Sequence, residues 1–266
     1  MNQQLYVISG KGGVGKTIFS LGLALELVSE GKKVLYNHFD QEPPEKLCNS
    51  LGIPVVKLSD EECLRAYVTK KLGSKILASW VVKAPFFHSL FNILPGLKNL
   101  VYLGYLVNLL IEDPNLVIVL DSPSSGHALT LLESPANFRE ILKTGPLVKD
   151  INVIENHLQD PSFTRMFILF LPTLLAFHEA EELREGVLKL KVAKPHLILN
   201  SAFSKMPDLG EDIPPFLKEK FLIENLVIKE CQDKFGTLKK IIPHFPQSER
   251  KKLIKEVASV IGGFND

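Results

Sequence analysis

The sequence predicts an α/β fold: a doubly wound, mostly parallel sheet with an inserted helical subdomain. Three observations carry this. Short, nearly continuous apolar runs alternate with longer helical patterns, as expected of strands buried on both faces. The glycine-rich stretch GKGGVGKT joins the first apolar run to the first helical pattern, as the turn of a βα unit does. Residues 59–111 break the alternation with helical patterns punctuated by proline and glycine.

In chain order, strands are expected at residues 5–9 (LYVIS), 34–39 (VLYNHF), 116–120 (LVIVL), 166–171 (MFILFL) and 196–199 (HLIL), with a shorter one at 240–242 (KII). Helical patterns lie between them at 16–30, 129–142, 178–190 and 249–261, each ended or preceded by glycine, proline or a polar cap. The segment from about 59 to 111 reads as two to four helices with no convincing strand, so it is expected to be a helical subdomain inserted into one sheet domain spanning residues 1–266.

A chain of 266 residues with 45% hydrophobic content can bury a sizeable core. With 31 Lys and Arg against 30 Asp and Glu, net charge gives no reason to expect nucleic acid or an anionic membrane as partner. Cys48, Cys63 and Cys231 are scattered and odd in number, which suggests neither a disulfide framework nor a metal pair. The N-terminal MNQQLYVISG lacks the basic head and apolar core of a signal peptide, and proline, glycine and charged residues interrupt the two longest apolar regions. A cytoplasmic protein, with membrane contact at most peripheral, is expected.

Gly10-x-x-x-x-Gly15-Lys16-Thr17, after a strand and before an amphipathic helix, is the sequence context of a phosphate-binding loop. Its glycines let successive N–H groups converge on phosphate oxygens, and the helix N-terminus adds its positive dipole end. Gly10, Gly12, Gly13, Val14, Gly15, Lys16, Thr17 and Ile18 are therefore expected to contact nucleotide. Lys16 is suited to the β and γ phosphates and Thr17 to Mg²⁺. Asp121, at the end of a buried strand and before the small-residue stretch Ser-Pro-Ser-Ser, is suited to hold the Mg²⁺ water shell. Lys11 has no obvious task at a single site.

With lysine at its second position, KGGVGKT resembles the deviant Walker A of the MinD, ParA, nitrogenase iron protein and ArsA group of NTPases. DSPSSGHALTLLESP is similar to the ArsA-type motif in the spacing from Asp121 to Gly126-His127, an extension that MinD and ParA proteins lack. The resemblance implies a Mg-dependent ATPase that works as a two-fold dimer of this chain or of this chain with a related subunit. In such a dimer Lys11 acts across the interface on the partner's nucleotide, as an arginine finger does. It also implies that Asp40 orients the attacking water or joins the metal shell, although FDQEPPEKL departs from the family's usual D-P-A-H. It further implies that Asn200, ending HLILN, contacts adenine, and that Pro243, in IPHFPQ, belongs to the loop beside the base.

By the same resemblance, residues 59–111 stand where ArsA-like ATPases keep nucleotide-sensing helices, and LASWVVKAPFFHSLFNIL and LKNLVYLGYLVNLLI can either receive an apolar client helix or pack as ordinary core. The chain lacks the zinc CxxC of eukaryotic tail-anchored-protein targeting factors and the grouped cysteines and tandem duplication of the arsenite pump ATPase. Alternatives are a MinD-like positional organiser, using 249–262 as an amphipathic membrane anchor where that helix does not simply pack on the sheet, a cluster-bearing redox protein, and a non-hydrolysing ATP-binding partner subunit.

Overall fold

In the computed structural model, residues 4–39, 42–84, 93–94, 96–206, 213–236, 238 and 240–262 are described. Six strands, β1 (Leu5–Gly10), β2 (Lys33–His38), β3 (Leu116–Asp121), β4 (Thr164–Phe170), β5 (His196–Ala202) and β6 (Lys240–Pro243), form one sheet in the order β2-β3-β1-β4-β5-β6. All five pairings are parallel. The expected parallel sheet is therefore present, with each strand within two or three residues of its predicted bounds.

The continuous apolar runs follow from the two covered faces. Leu5, Val7, Ile118, Leu120, Ile168 and Phe170 point into one core, and Tyr6, Ile8, Val117, Val119, Phe167 and Leu169 into the other. Period-two alternation sends neighbouring residues to opposite faces, and both faces are apolar because helices cover both. On the second face lie α1 (Lys16–Ser29), α2 (Glu45–Leu51) and the C-terminal helix α10 (Arg250–Ile261). α1 and α10 touch closely at Gly22, where an added Cβ would stand 3.0 Å from Val257 Cγ1 and 3.3 Å from the Ala258 nitrogen.

Between β2 and β3, after α2, come α3 (Asp60–Leu72), α4 (Lys75–Lys83) and α5 (Leu97–Glu112), with no strand among the described residues. A capping box starts α3, Ser59 and Glu62 each satisfying the other's backbone N–H. α5 lies against the first sheet face with Leu103, Leu106 and Leu110 fully buried, while Tyr105 and Leu109 are partly buried and Ile111 is exposed. Residues 85–92, the middle of LASWVVKAPFFHSLFNIL, lie outside the described residues. The rest of that face is covered by α6 (Ser125–Leu142), α7 (Pro146–Gln159), α8 (Leu174–Lys189) and α9 (Pro215–Phe235).

Three helices, α2, α7 and α9, fall outside the sequence expectation, and α6 and α8 each begin four residues before their predicted starts. α10 buries Ile254, Val257, Ala258 and Ile261 on α1, so the apolar face that a membrane anchor would need is covered. No helix of the described residues is long and apolar enough to cross a membrane. All three cysteines are free and buried.

Candidate functional site

The site lies where the C-terminal ends of β1, β3, β4 and β5 meet, at the reversal of strand order where open α/β sheets leave a crevice. β1 enters the loop through Gly10 at φ +143°, where a Cβ would stand 2.4 Å from the Leu169 carbonyl oxygen. The loop ends at Gly15 at φ +92°, where a Cβ would stand 2.4 Å from Asn200 Nδ2. Both positions thus need glycine twice over, for conformation and for space. Gly12 and Gly13 are exposed at the loop tip, while Val14 is buried in the core and Ile18 packs against it. The loop is therefore an open arch pinned at both feet.

α1 starts at Lys16 without a side-chain cap, so its first turn presents backbone N–H groups to the arch. Lys16 Nζ bends over the loop and donates to the carbonyls of Gly10 at 3.1 Å and Lys11 at 3.0 Å. Burial lowers the Lys16 pKa and the Asp121 charge partly restores it. Thr17 Oγ1 donates to Asp121 Oδ2 at 2.7 Å. The same oxygen accepts from Tyr36 at 3.0 Å and lies 3.5 Å from His38 Nε2.

Asp121 is 1% exposed, and its Oδ1 is buried with no hydrogen-bond partner. Burial raises its pKa, opposed by Thr17, His38, Tyr36 and Lys16. Tyr36 is pushed far up by burial and then by the Asp121 charge. An orphaned carboxylate oxygen beside a threonine hydroxyl fits a hydrated Mg²⁺ whose remaining ligands are water and phosphate. Among the described residues no group of three His, Cys, Asp or Glu could form an all-protein metal cage.

On the other side of the arch, Asn200 Nδ2 donates to the Val14 carbonyl at 2.8 Å. The β5–β6 ladder shifts register between Leu199 and Ala202, and Ser201 has φ +61°. Such a bulge re-aims neighbouring side chains, and here Asn200 reaches the loop. Pro243 pairs with Ala202 at the end of β6. Beyond it the His244 ring stacks on Phe203 with centroids 3.9 Å apart, Lys220 Nζ sits 3.4 Å above the Phe203 ring, and Ser201 Oγ lies 2.8 Å from His244 Nδ1.

Thus Lys16, Thr17, Asp121 and Asn200 are brought together around the loop. Pro243 borders the Phe203–His244 stack. Lys11 is exposed at the loop mouth and pairs with Glu179 of α8. Asp40 lies outside the described residues. Sequence reading missed Tyr36, His38, Glu179 and the Phe203–His244 stack. Tyr36 and His38 left one legible trace, since residues two apart on a strand share a face; the others are assembled from distant segments.

Sheet order, glycine arch and strand-end aspartate define a P-loop NTPase fold. A model of the family described as anion-transporting ATPase matches residues 3–149, more than half of the 266. The chain belongs to that family. It is 26% identical to "Putative arsenical pump-driving ATPase 2" of Aquifex aeolicus, over 91% of this chain and 93% of that protein. It is 23% identical to the protein named "ATPase ASNA1 homolog" of Cryptosporidium parvum, over 82% and 72% of the two chains. It is also 23% identical to "ATPase GET3A" of Arabidopsis thaliana, over 73% of this chain and 65% of that one.

Proposed function

We propose that the chain is a Mg-dependent ATPase that hydrolyses ATP as a nucleotide-gated dimer and uses the cycle to rearrange its helical segment at 59–111. The observation that carries this reading is the Asp121 carboxylate, held by Thr17 through one oxygen and buried without a hydrogen-bond partner at the other, beside a phosphate-binding arch. Lys16 and the N–H groups of Gly12 to Ile18 bind the phosphates, while Thr17 and Asp121 hold the hydrated metal. When bound there, Mg²⁺ would supply neutralisation of phosphate charge. Asp40 orients the attacking water. Asn200 and Pro243 border the base, and Lys11 reaches the nucleotide of a second copy or of a related subunit.

Coupling to the helical segment is supported at the end of β2. Tyr102 of α5 donates to Asn37 Oδ1, and its ring meets Phe39 edge-on with centroids 4.6 Å apart. A change at Asn37 or Phe39 therefore bears directly on α5. Between α3, α5, α6 and α7 lies a cleft of about 1330 Å³, with Leu64, Tyr105, Leu109, Phe138 and Ile154 among its lining. Its apolar character suits an apolar client helix or a protein partner.

The test is Mg-ATP hydrolysis against protein concentration for wild type, Lys11→Ala, Asp40→Asn and Asp121→Asn, with ATP binding measured in parallel. Specific activity rises with concentration, and all three substitutions suppress turnover by about 100-fold or more while Lys11→Ala and Asp40→Asn still bind ATP. A wild type that binds ATP and stays silent at every concentration sinks the ATPase reading in favour of a binding subunit.

A further inference from the structure

Lys11 does not project freely from the loop. Its ammonium pairs with the carboxylate of Glu179, in the second turn of α8. Lys16 already occupies the inside of the arch, bonded to the carbonyls of Gly10 and Lys11 itself, so the Lys11 side chain is left on the outside. We propose that Glu179 is a positioning residue that latches Lys11 onto its own chain until a second nucleotide-loaded copy arrives. This inference rests on the trans-acting role proposed above for Lys11.

The strength of the pair suits a latch. The Lys11 and Glu179 side chains are 55% and 25% exposed, and an ion pair this accessible is weak and sensitive to salt. A triphosphate offers several charged oxygens to one ammonium and outcompetes a single carboxylate. Release is thereby tied to the arrival of the partner's nucleotide. Until then Glu179 neutralises a cation that would otherwise sweep the loop mouth on a flexible stem.

The position of the latch suits control as well. α8 rests on α6 at Gly186, where an added Cβ would stand 2.9 Å from Leu129 Cδ1. α6 begins at Ser125, three residues beyond the Ser122 that follows Asp121. The helix that bears Glu179 is thus packed on the helix that starts from the metal-side loop, and a displacement of that loop reaches the latch through one contact layer.

Sedimentation velocity with Mg²⁺ and a non-hydrolysable ATP analogue, alongside steady-state hydrolysis, tests this on wild type, Glu179→Gln, Glu179→Lys and Lys11→Ala. Two latches open per two-fold dimer, so Glu179→Gln lowers the protein concentration for half-maximal dimerisation and activity by about two- to tenfold. Activity at saturating protein stays at the wild-type level. The gap between wild type and Glu179→Gln closes in about 0.5 M salt, where the pair is screened; a purely structural role for Glu179 gives no such convergence. Glu179→Lys shifts the midpoint in the same direction. If both Glu179 variants keep the wild-type midpoint or raise it while Lys11→Ala loses turnover, the latch is wrong and the trans-lysine survives. If Lys11→Ala dimerises and hydrolyses as wild type does, the trans-lysine fails and the latch fails with it.

Discussion

The Thr17 hydroxyl donates to Asp121 Oδ2 at 2.7 Å, joining the first turn of α1 to the end of β3 across 104 positions of sequence. This bond holds one carboxylate oxygen and leaves Oδ1 without a partner inside the protein. Asp121→Asn keeps the shape and removes the charge. Nucleotide affinity without metal is therefore expected to stay within about threefold of wild type, while the gain from Mg²⁺ disappears and turnover drops about 100-fold or more. Titration calorimetry with ATP in the presence and absence of Mg²⁺ checks it. An Asp121→Asn protein that still binds ATP more tightly with Mg²⁺ than without it removes Asp121 from the metal shell.

Tyr36 supplies the second hydrogen bond to that carboxylate, from a fully buried hydroxyl at 3.0 Å. Tyr36→Phe deletes the donor without opening a cavity. The expected cost is about 1–2 kcal/mol of stability, since a charged acceptor loses a partner, together with a weaker Mg²⁺ dependence as Asp121 loses its anchorage. Urea denaturation and a Mg²⁺ titration of turnover read the two effects separately. Unchanged Mg²⁺ dependence would make Tyr36 a purely structural residue.

How much of this was legible in the sequence varies with what selects each feature. Strands of a doubly covered sheet must be apolar at every position, so LVIVL and MFILFL announced themselves. The expectation for α6 starts at Leu129, yet the helix starts at Ser125, because Ser124 takes extended backbone angles and Gly126 and His127, exposed in the first turn, carry no apolar signal. α9 buries only Glu224, Val227 and Cys231 over 21 residues, too sparse a stripe to show a helical period. α7 does carry a periodic apolar stripe at Leu147, Ile151, Ile154 and Leu158, which the expected helices do not include. The phosphate loop and Asp121 carry local motifs. Glu179, Tyr36 and the Phe203–His244 stack meet their partners only through the fold, so no local spacing encodes them.

The three thiols give the protein a defined response to alkali. Burial pushes Cys48 up to about 11, Cys63 to about 12 and Cys231 to about 11, against about 8.5 for a thiol in the unfolded chain. The folded state thus retains protons that the unfolded state releases. Their contribution is intact below about pH 8.5 and is lost as pH rises through the folded values, at up to about 1.4 kcal/mol per thiol per pH unit. Tyr6 and Tyr67, also raised by burial, act in the same direction. The urea midpoint should fall between about pH 8.5 and 11, and Cys63→Ala should flatten that fall. At pH 8 none of the three thiols should react with a bulky disulfide reagent faster than the protein opens.

Gly15 and Asn200 are coupled by geometry, and a double-mutant cycle separates the causes. Gly15→Ala introduces two problems: a Cβ 2.4 Å from Asn200 Nδ2, and an L-residue at φ +92°. Asn200→Ala removes the first and leaves the second. Alone, Asn200→Ala strips the Val14 carbonyl of its 2.8 Å donor and costs about 1–3 kcal/mol. Gly15→Ala alone is expected to cost about 3 kcal/mol or more, the steric term added to roughly 1–2 kcal/mol of backbone strain. In the double variant the clash is gone and the carbonyl is already unpaired. The loss should therefore fall short of the sum of the singles by at least about 1 kcal/mol, beyond the scatter of independent sites. ATP binding stays impaired in the double variant because the strained residue still closes the arch. Additive losses in urea denaturation would mean that Asn200 yields to the new methyl group at no cost, leaving backbone conformation as the sole reason for glycine at that foot of the loop.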